Sequence, residues 1–305
     1  METKSLKRSV KYAIAKALYW VPDSMMLHIQ YFVLKKRILH LKHPKRFSEK
    51  VQWYKAYYHN PEMLECVDKY RVRDYVRKKL GTDKYLNELY QVCDDAYQIN
   101  FDALPEKFVI KTTDGGDGAN VLICKNKVEL NIDDAIKEIN SWRNKKYYVI
   151  SREWAYKGAK QSKVIVEKFL ESDENADGSI DDYKFMCFDG KFRFLWLDKF
   201  RFSNHHRTFY DENLNWLPGR ELDYPAPAKA YPLPENMEEM IEVAEKLAKG
   251  FPLARVDLYN IKGQIIFGEM TFYPVSGYGK FGTDEFDYEL AKFFKVYMFG
   301  TGYSS

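Results

Sequence analysis

Ala254-Arg-Val-Asp-Leu-Tyr-Asn-Ile-Lys-Gly-Gln-Ile-Ile-Phe-Gly-Glu-Met-Thr271 reads as two strands of alternating character joined through a lysine and a glycine. A three-residue loop, Ile261-Lys262-Gly263, with Gly263 in the left-handed conformation, predicts a hairpin. In it Asn260 pairs with Gln264, Asp257 with Phe267 and Arg255 with Glu269. Alternation then places Arg255, Asp257, Glu269 and Thr271 on one face, and Val256, Leu258, Ile266 and Met270 on the other. Two carboxylates on one sheet face repel each other unless they hold a cation. Hard oxygen ligands suit Mg²⁺, which takes one or two carboxylates together with phosphate oxygens. Arg255 could instead neutralise both in a cross-strand ion cluster.

A second stretch lies upstream, Phe108-Val-Ile-Lys-Thr-Thr-Asp-Gly-Gly-Asp-Gly-Ala-Asn-Val-Leu-Ile-Cys124. An apolar strand carries Lys111, a loop follows with Gly115, Gly116 and Gly118, and a second strand returns. Glycines let backbone N–H groups close over phosphate oxygens, and a lysine supplies a point charge. Gly-rich hairpins are common, and Asp114 and Asp117 would repel a phosphate, so a plain tight turn is the competing reading. Between these two stretches, Val164-Ile-Val-Glu-Lys-Phe-Leu170 is an apolar strand bearing a charged pair. By themselves Glu167 and Lys168 read as an edge-strand salt bridge. An acidic loop leads from there to Asp182-Tyr-Lys-Phe-Met-Cys-Phe188 and a hairpin turn at Asp189-Gly190.

Strands are further expected at 192–197, with helices at 4–20, 24–39, 48–58, 69–80, 132–143, 236–249 and 286–298. Ser48 is a candidate cap for the third helix and Asp68 for the fourth, which Gly81 stops. Strands in hairpins with helices between them indicate an α+β architecture on antiparallel sheets. Leu217–Pro234, with five prolines, is a surface loop. The chain divides on this reading into a helical, basic segment, 1–65, and a main domain, 66–305. The main domain separates into parts at about 105–170 and 171–305.

At 305 residues with 46% hydrophobic and 30% charged composition, this is an ordinary globular chain with room for one or two cores. The four cysteines are scattered without metal-ligand spacing and read as buried thiols in a reducing compartment. No apolar run reaches the roughly 20 residues that span a bilayer. A cytoplasmic protein is expected. Residues 1–55 hold 13 Lys/Arg against 3 Asp/Glu, an excess of +10 in a chain whose net charge is +4. In the first helix Val10, Ala13, Ile14, Ala17 and Leu18 recur at helical spacing among Lys4, Lys7, Arg8 and Lys11. Such a helix can lie on an anionic membrane, the inner face in this compartment, or dock on its own domain.

Taken in order, these stretches resemble the ATP-grasp superfamily. The resemblance implies an α+β fold of two subdomains gripping ATP between antiparallel sheets, here with a helical N-terminal extension. It implies that Lys111 and the loop of Gly115, Gly116 and Gly118 handle phosphates, with Lys69 of Asp68-Lys69 as a second phosphate lysine. It makes Glu167, Lys168, Phe169 and Leu170 the adenine hinge and Asp182 the ribose contact. It makes Asp257 and Glu269 the holders of two Mg²⁺ (or Mn²⁺), with Thr271 where the superfamily usually has Asn, and Arg255 the arginine of its ligases. Phe47-Ser-Glu-Lys-Val-Gln-Trp53, Asp68-Lys-Tyr-Arg-Val-Arg73, Leu104-Pro-Glu-Lys-Phe-Val-Ile-Lys111 and Asp182-Tyr-Lys184 resemble more closely the teichuronopeptide-biosynthesis (TupA-like) ATP-grasp family. So do Arg255-Val-Asp-Leu-Tyr259 and Gly268-Glu-Met-Thr-Phe-Tyr-Pro274, in which Thr271 is the family norm. The loop after Lys111 departs from that family, which often begins it with His.

The resemblance implies an ADP-forming carboxylate–amine ligase of bacterial capsule or cell-wall polysaccharide synthesis. ATP and Mg²⁺ would be its cofactors, Arg255 and Lys111 its catalytic pair, and Lys184 part of the nucleotide site. Its implied partners are an anionic sugar or glycan and a small amine or amino acid, with no nucleic acid. Arg201, His205, His206 and Arg207 form a basic loop that could meet the anionic acceptor. A glycosyltransferase or a phosphotransferase acting on a sugar is the alternative. No compact Asp-x-Asp metal motif supports the former, whereas the same scaffold serves several phosphoryl-transfer outcomes.

Overall fold

In the computed structural model, residues 2–116, 120–158, 161–220 and 224–296 are described, residues 2–9 by their backbone alone. Five helices come first: α1 (Glu2–Ala17), α2 (Asp23–Lys35), α3 (Phe47–Tyr57), α4 (Glu62–Cys66) and α5 (Val72–Leu80). Strands β1 (Leu89–Cys93), β2 (Phe108–Thr112) and β3 (Val121–Cys124) follow, then α6 (Ile132–Arg143), α7 (Tyr147–Ser151), α8 (Trp154–Lys157) and β4 (Val164–Lys168). The remainder is β5 (Asp182–Phe188), β6 (Lys191–Lys199), β7 (His206–Tyr210), α9 (Met237–Ala248), β8 (Leu253–Ile261), β9 (Gln264–Thr271) and α10 (Asp284–Phe293). The chain separates into two compact units, one of Met1–Met26, His59–Tyr75 and Asn87–Leu170, the other of Leu27–Tyr58, Val76–Leu86 and Glu171–Ser305.

The first unit is built on an antiparallel sheet in the order β1-β4-β2-β3. Phe108, Ile110, Val164 and Val166 face a core completed by Ala135 and Ile139 of α6 and by Ile99, Phe101 and Leu104. The opposite face carries Val109, Lys111, Ile165 and Glu167, since successive residues alternate. β4 is therefore an interior strand, and Glu167 and Lys168 point to opposite faces. The edge salt bridge between them is not formed. Lys168 instead lies 3.5 Å from Glu88. β1 was not foreseen; Leu89-Tyr-Gln-Val-Cys is short, and it pairs with β4 through an irregular register between Leu89 and Gln91.

The second unit holds the sheet β7-β6-β5-β8-β9, again antiparallel throughout. Tyr183, Phe185, Val256 and Leu258 are buried on the face that receives α9. The other face is apolar at one end, where Phe188, Phe194 and Phe209 meet Phe47, Phe286 and Phe294 edge-on or tilted. Its far end is charged. The turn Asp189-Gly190 has φ of 48° and 73°, the left-handed pair of a two-residue hairpin.

The β8–β9 hairpin corrects the sequence reading. Ile261 pairs with Gln264, so the loop is the two residues Lys262-Gly263, at φ of 50° and 85°. That register alone would set Glu269 opposite Val256, on the core side. A bulge at Gly268 inserts one residue, after which Asp257 pairs with Glu269 and Arg255 with Thr271. The bulge re-aims Glu269 and Thr271 onto the charged face. The four residues thus share a face, but with different partners from those expected.

β7 replaces part of the anticipated basic loop, and the helix expected over 286–298 ends at Phe293. Nor is Ser48 a cap. α3 begins at Phe47, and the N–H groups of Lys45 and Arg46 donate to Glu49 at 2.8 and 3.0 Å. Ser48 donates from its N–H and hydroxyl to Asp287 at 2.8 and 2.7 Å. Lys50 donates to the carbonyls of Ala291 and Phe294 at the end of α10. The Phe47–Trp53 motif therefore fastens α10.

Candidate functional site

Each unit carries part of the anticipated set. In the first, Lys111 comes off β2 and donates to Glu167 Oε2 at 2.8 Å, while Arg73 of α5 lies 3.5 Å from Glu167 Oε1. One buried carboxylate thus serves two cations. Asp68 Oδ1 accepts from the N–H groups of Tyr70 and Arg71 at 2.9 Å each, closing the turn that precedes α5. The helix itself starts at Val72, later than anticipated. Between Asp68 and Tyr70, the Lys69 N–H donates to the Thr113 carbonyl at 3.0 Å, and its ammonium donates to the carbonyl of Gly115. Lys69 and the glycine loop are therefore brought together. A Cβ on Gly116 would sit 2.7 Å from the Tyr147 ring, so only glycine lets the backbone pass that close. Gly118 lies outside the described residues.

At the anticipated hinge, β4 ends at Lys168. The Lys168 N–H donates to Glu88 at 3.0 Å and its carbonyl accepts from Asn87 at 2.9 Å. Phe169 and Leu170 follow, half-buried, with the Lys125 ammonium 5.9 Å from the Phe169 ring centre. Beside the glycine loop is a hollow of about 230 Å³ lined by Asp114, Arg143, Lys146, Tyr147, Tyr156 and Ser162 among others. Burial pushes the Asp114 carboxyl up against the opposing pull of its 2.5 Å hydrogen bond from Ser162.

The charged end of the second unit's sheet is one connected network. Arg255 grips Asp257 with two bonds of 2.7 Å and reaches Glu269 at 3.3 Å and Thr271 Oγ1 at 3.1 Å. Lys184 lies 2.9 Å from Asp257 and 2.5 Å from Asp182. Arg201 adds a 2.8 Å contact to Asp182, and Arg207 holds Asp198 at 2.5 and 2.7 Å. Register explains the convergence: Asp257 pairs with Lys184, Tyr259 with Asp182, and Asp182 in turn with Asp198. Trp196, opposite Lys184, has the Arg207 and Arg255 guanidinium carbons each 5.9 Å from its ring.

Asp198 was missed, although its place two residues after Trp196 on an alternating strand put it on the same face. The basic loop, in turn, is not a free cationic patch. Arg201 and Arg207 compensate Asp182 and Asp198, and His205 Nε2 is 3.2 Å from Asp198. His206 bonds Tyr231 at 2.5 Å.

Burial would raise every carboxyl here, and the partners decide each outcome. For Asp257, Arg255 and Lys184 outweigh burial and hold the pKa below its ordinary value. For Asp198, bonds from His205 and Arg207 do the same. Asp182 goes the other way, because burial, with Asp257 and Asp198 nearby, outweighs Lys184 and Arg201. Its Oδ1 is buried with no hydrogen-bond partner among the described residues. Such an acceptor suits a ligand hydroxyl.

The donors on the Asp257 face, two carboxylates and a hydroxyl, fit Mg²⁺ or Mn²⁺ in kind. Arg255 and Lys184 already hold the Asp257 oxygens, while the Glu269 side chain is 45% exposed. No group of three or more His, Cys, Asp or Glu is placed to hold a metal among the described residues. The ion cluster centred on Arg255, weighed against a metal site from the sequence, is present.

A family model described as TupA-like ATPgrasp matches residues 49–295. No curated protein matches the chain. Among solved structures it is similar to a D-alanine–D-alanine ligase from Bacillus anthracis, 18% identical, over 68% of this chain and 57% of that one, with a TM-score of 0.42. An N5-carboxyaminoimidazole synthetase from Staphylococcus aureus complexed with ADP is 16% identical over 68% and 44%, TM-score 0.42. An L-amino acid ligase from Bacillus licheniformis is 13% identical over 83% and 55%, TM-score 0.46. The chain spans about half the length of these structures.

Proposed function

The chain belongs to the TupA-like ATP-grasp family, and from that premise we propose that it is an ATP- and Mg²⁺-dependent carboxylate–amine ligase. Its acceptor would be the uronic acid of an anionic glycan, joined to an amino acid or other small amine during capsule or cell-wall polysaccharide synthesis. The observation that carries this reading is the bulge at Gly268, which brings Glu269 and Thr271 onto the face of Arg255 and Asp257. Three charged side chains and a hydroxyl then converge where an ordinary hairpin would have buried one carboxylate in the core.

In the proposed reaction a carboxylate oxygen attacks the γ-phosphorus of ATP, and ADP leaves with the electrons of the broken P–O bond. The amine nitrogen then attacks the acyl carbon. Inorganic phosphate departs as the C–O bond breaks, and the nitrogen releases a proton. Such a transfer asks the protein for positioning and charge compensation. Lys69 and Lys111 would offset phosphate charge, Lys111 by turning from Glu167. Asp182, with its unpartnered oxygen, accepts a ribose hydroxyl, and Lys184 keeps its charge beside it because Asp182 and Asp257 outweigh its burial.

Arg255 stabilises the oxyanion of the tetrahedral intermediate. Its fixed grip on Asp257 sets the direction in which its remaining N–H groups point. Asp257, Glu269 and Thr271 would hold Mg²⁺ or Mn²⁺, whose charge, when bound, offsets that of the phosphates. Glu269→Gln is the test. ADP release coupled to amide formation should fall at least about a hundredfold, and turnover near that of the parent would remove this assignment.

A further inference from the structure

Twenty large apolar side chains are exposed among the described residues, and eleven of them fall between Val10 and Ile38. Such concentration is not the scatter of single apolar residues that a soluble surface normally shows. On α1, Val10, Ala13, Ile14 and Ala17 recur at helical spacing, and this row faces solvent, with Ile14 57% exposed. Tyr12 is on the inward side, its hydroxyl accepting from the Lys146 N–H at 3.3 Å where α1 packs on α7. The helix thus docks on its own unit through the Tyr12 side and leaves the Val10 row outward. Lys11 and Lys16 are exposed at either flank of the row.

The turn that follows is built rather than frayed. Arg152 is 2% exposed and donates to the carbonyls of Leu18, Tyr19 and Val21 and to Asp23 Oδ1. Asp23 also accepts from Tyr148 at 2.5 Å and from Lys157 at 3.2 Å. Asp23 is thus neutralised within its own unit, and Trp20 is left 79% exposed on a pinned backbone.

We propose that α1 and the Leu18–Trp20 turn dock on the surface of a bilayer rich in anionic lipid, with Trp20 at the headgroup level. Charge selects this occupant. Helix α1 carries five Lys/Arg against one acid, Glu2, and Asp23 in the turn after it is engaged internally. An apolar row flanked by lysine matches an anionic interface, where apolar insertion and headgroup attraction reinforce each other. A protein partner would need an acidic rim instead. No helix of the described residues is long and apolar enough to cross a membrane, so the contact is one of surface binding. It would hold the enzyme at a membrane independently of what it ligates.

The test is co-sedimentation of the full chain with phosphatidylcholine vesicles, with and without about one-third phosphatidylglycerol, at low and high salt. Binding is expected only with the anionic lipid, weakening as salt rises. Val10→Ser/Ile14→Ser/Trp20→Ser and, separately, Lys11→Glu/Lys16→Glu should each lower the partition coefficient about tenfold or more. All five positions are exposed, so unchanged thermal melts should show that both variants fold. No binding, equal binding to neutral vesicles, or a triple variant that binds like the parent overturns the proposal. So does a parent chain that forms dimers lost in the triple variant while ignoring vesicles, which would assign the face to a second copy.

Discussion

Asp198 has no anticipated part in the chemistry, yet it is 2% exposed and its two oxygens take a bidentate arginine, Arg207. Removing one partner of a buried pair leaves the other charge uncompensated, at a cost of about 3–5 kcal/mol. Asp198→Asn is therefore expected to destabilise the protein by that amount in urea unfolding. Its pH behaviour has a definite sign. Asp198 and Asp257 have folded-state pKa values below the ordinary value of about 4. Their contribution is present above that pH and disappears as pH falls through the lowered values. Asp182, raised by burial, contributes in the opposite sense, favouring the fold below its unfolded pKa and losing that as pH rises through the folded one. Stability of the parent should thus drop steeply on acidification below about pH 4, and the drop should be shallower in Asp198→Asn. Thr271, a hydroxyl rather than a charge, should cost less than about tenfold in turnover as Thr271→Ala.

At the scale of elements, Gly268 decides which residues meet. A Cβ there would lie 3.0 Å from the Asp257 carbonyl and 3.2 Å from the Tyr259 ring, both part of the strand it bulges against. Gly268→Ala should cost about 1–3 kcal/mol in thermal or urea unfolding. It should also lower turnover by more than that loss of stability accounts for, because Glu269 and Thr271 would be displaced; parent-like turnover in a folded variant would deny the bulge its role. The grouping of Arg255, Asp257, Glu269 and Thr271 was legible from alternation alone, but only because two one-residue departures add to a shift of two, which keeps the face and changes the partners. The loop is one residue shorter than supposed, and the bulge shifts the register by one more. Glycine is compatible with either a strand or a bulge, so residue type could not separate them. β7 was hidden for another reason: His206 and Arg207 read as part of a basic loop, whereas Arg207 points at a buried carboxylate on a neighbouring strand. The Phe47–Trp53 motif was visible as a resemblance, but its work in fastening α10 is a tertiary contact that no local pattern reports.

For the whole molecule, α+β architecture and antiparallel sheets were readable from apolar strands joined by the turns Asp189-Gly190 and Lys262-Gly263, and the family from its motifs. Membership in a nucleotide-using family leads to a global expectation. A ligand that binds only the folded chain stabilises it by about 2.7 kcal/mol at a hundred times its Kd. Mg-ATP should therefore raise the melting temperature by about 2–4 °C or more, Lys111→Met should reduce that rise, and no rise at saturating Mg-ATP would argue against nucleotide binding.

The most direct test of the ligase assignment is mass spectrometry of the products after incubating the protein with Mg-ATP, a uronic-acid glycan and pooled amino acids. The account predicts an adduct of glycan and amino acid with loss of one water, accompanied by one ADP and one phosphate for each bond formed. A glycan carrying one added phosphate and no amine, or a glycoside formed from a sugar nucleotide without ATP consumption, would contradict it.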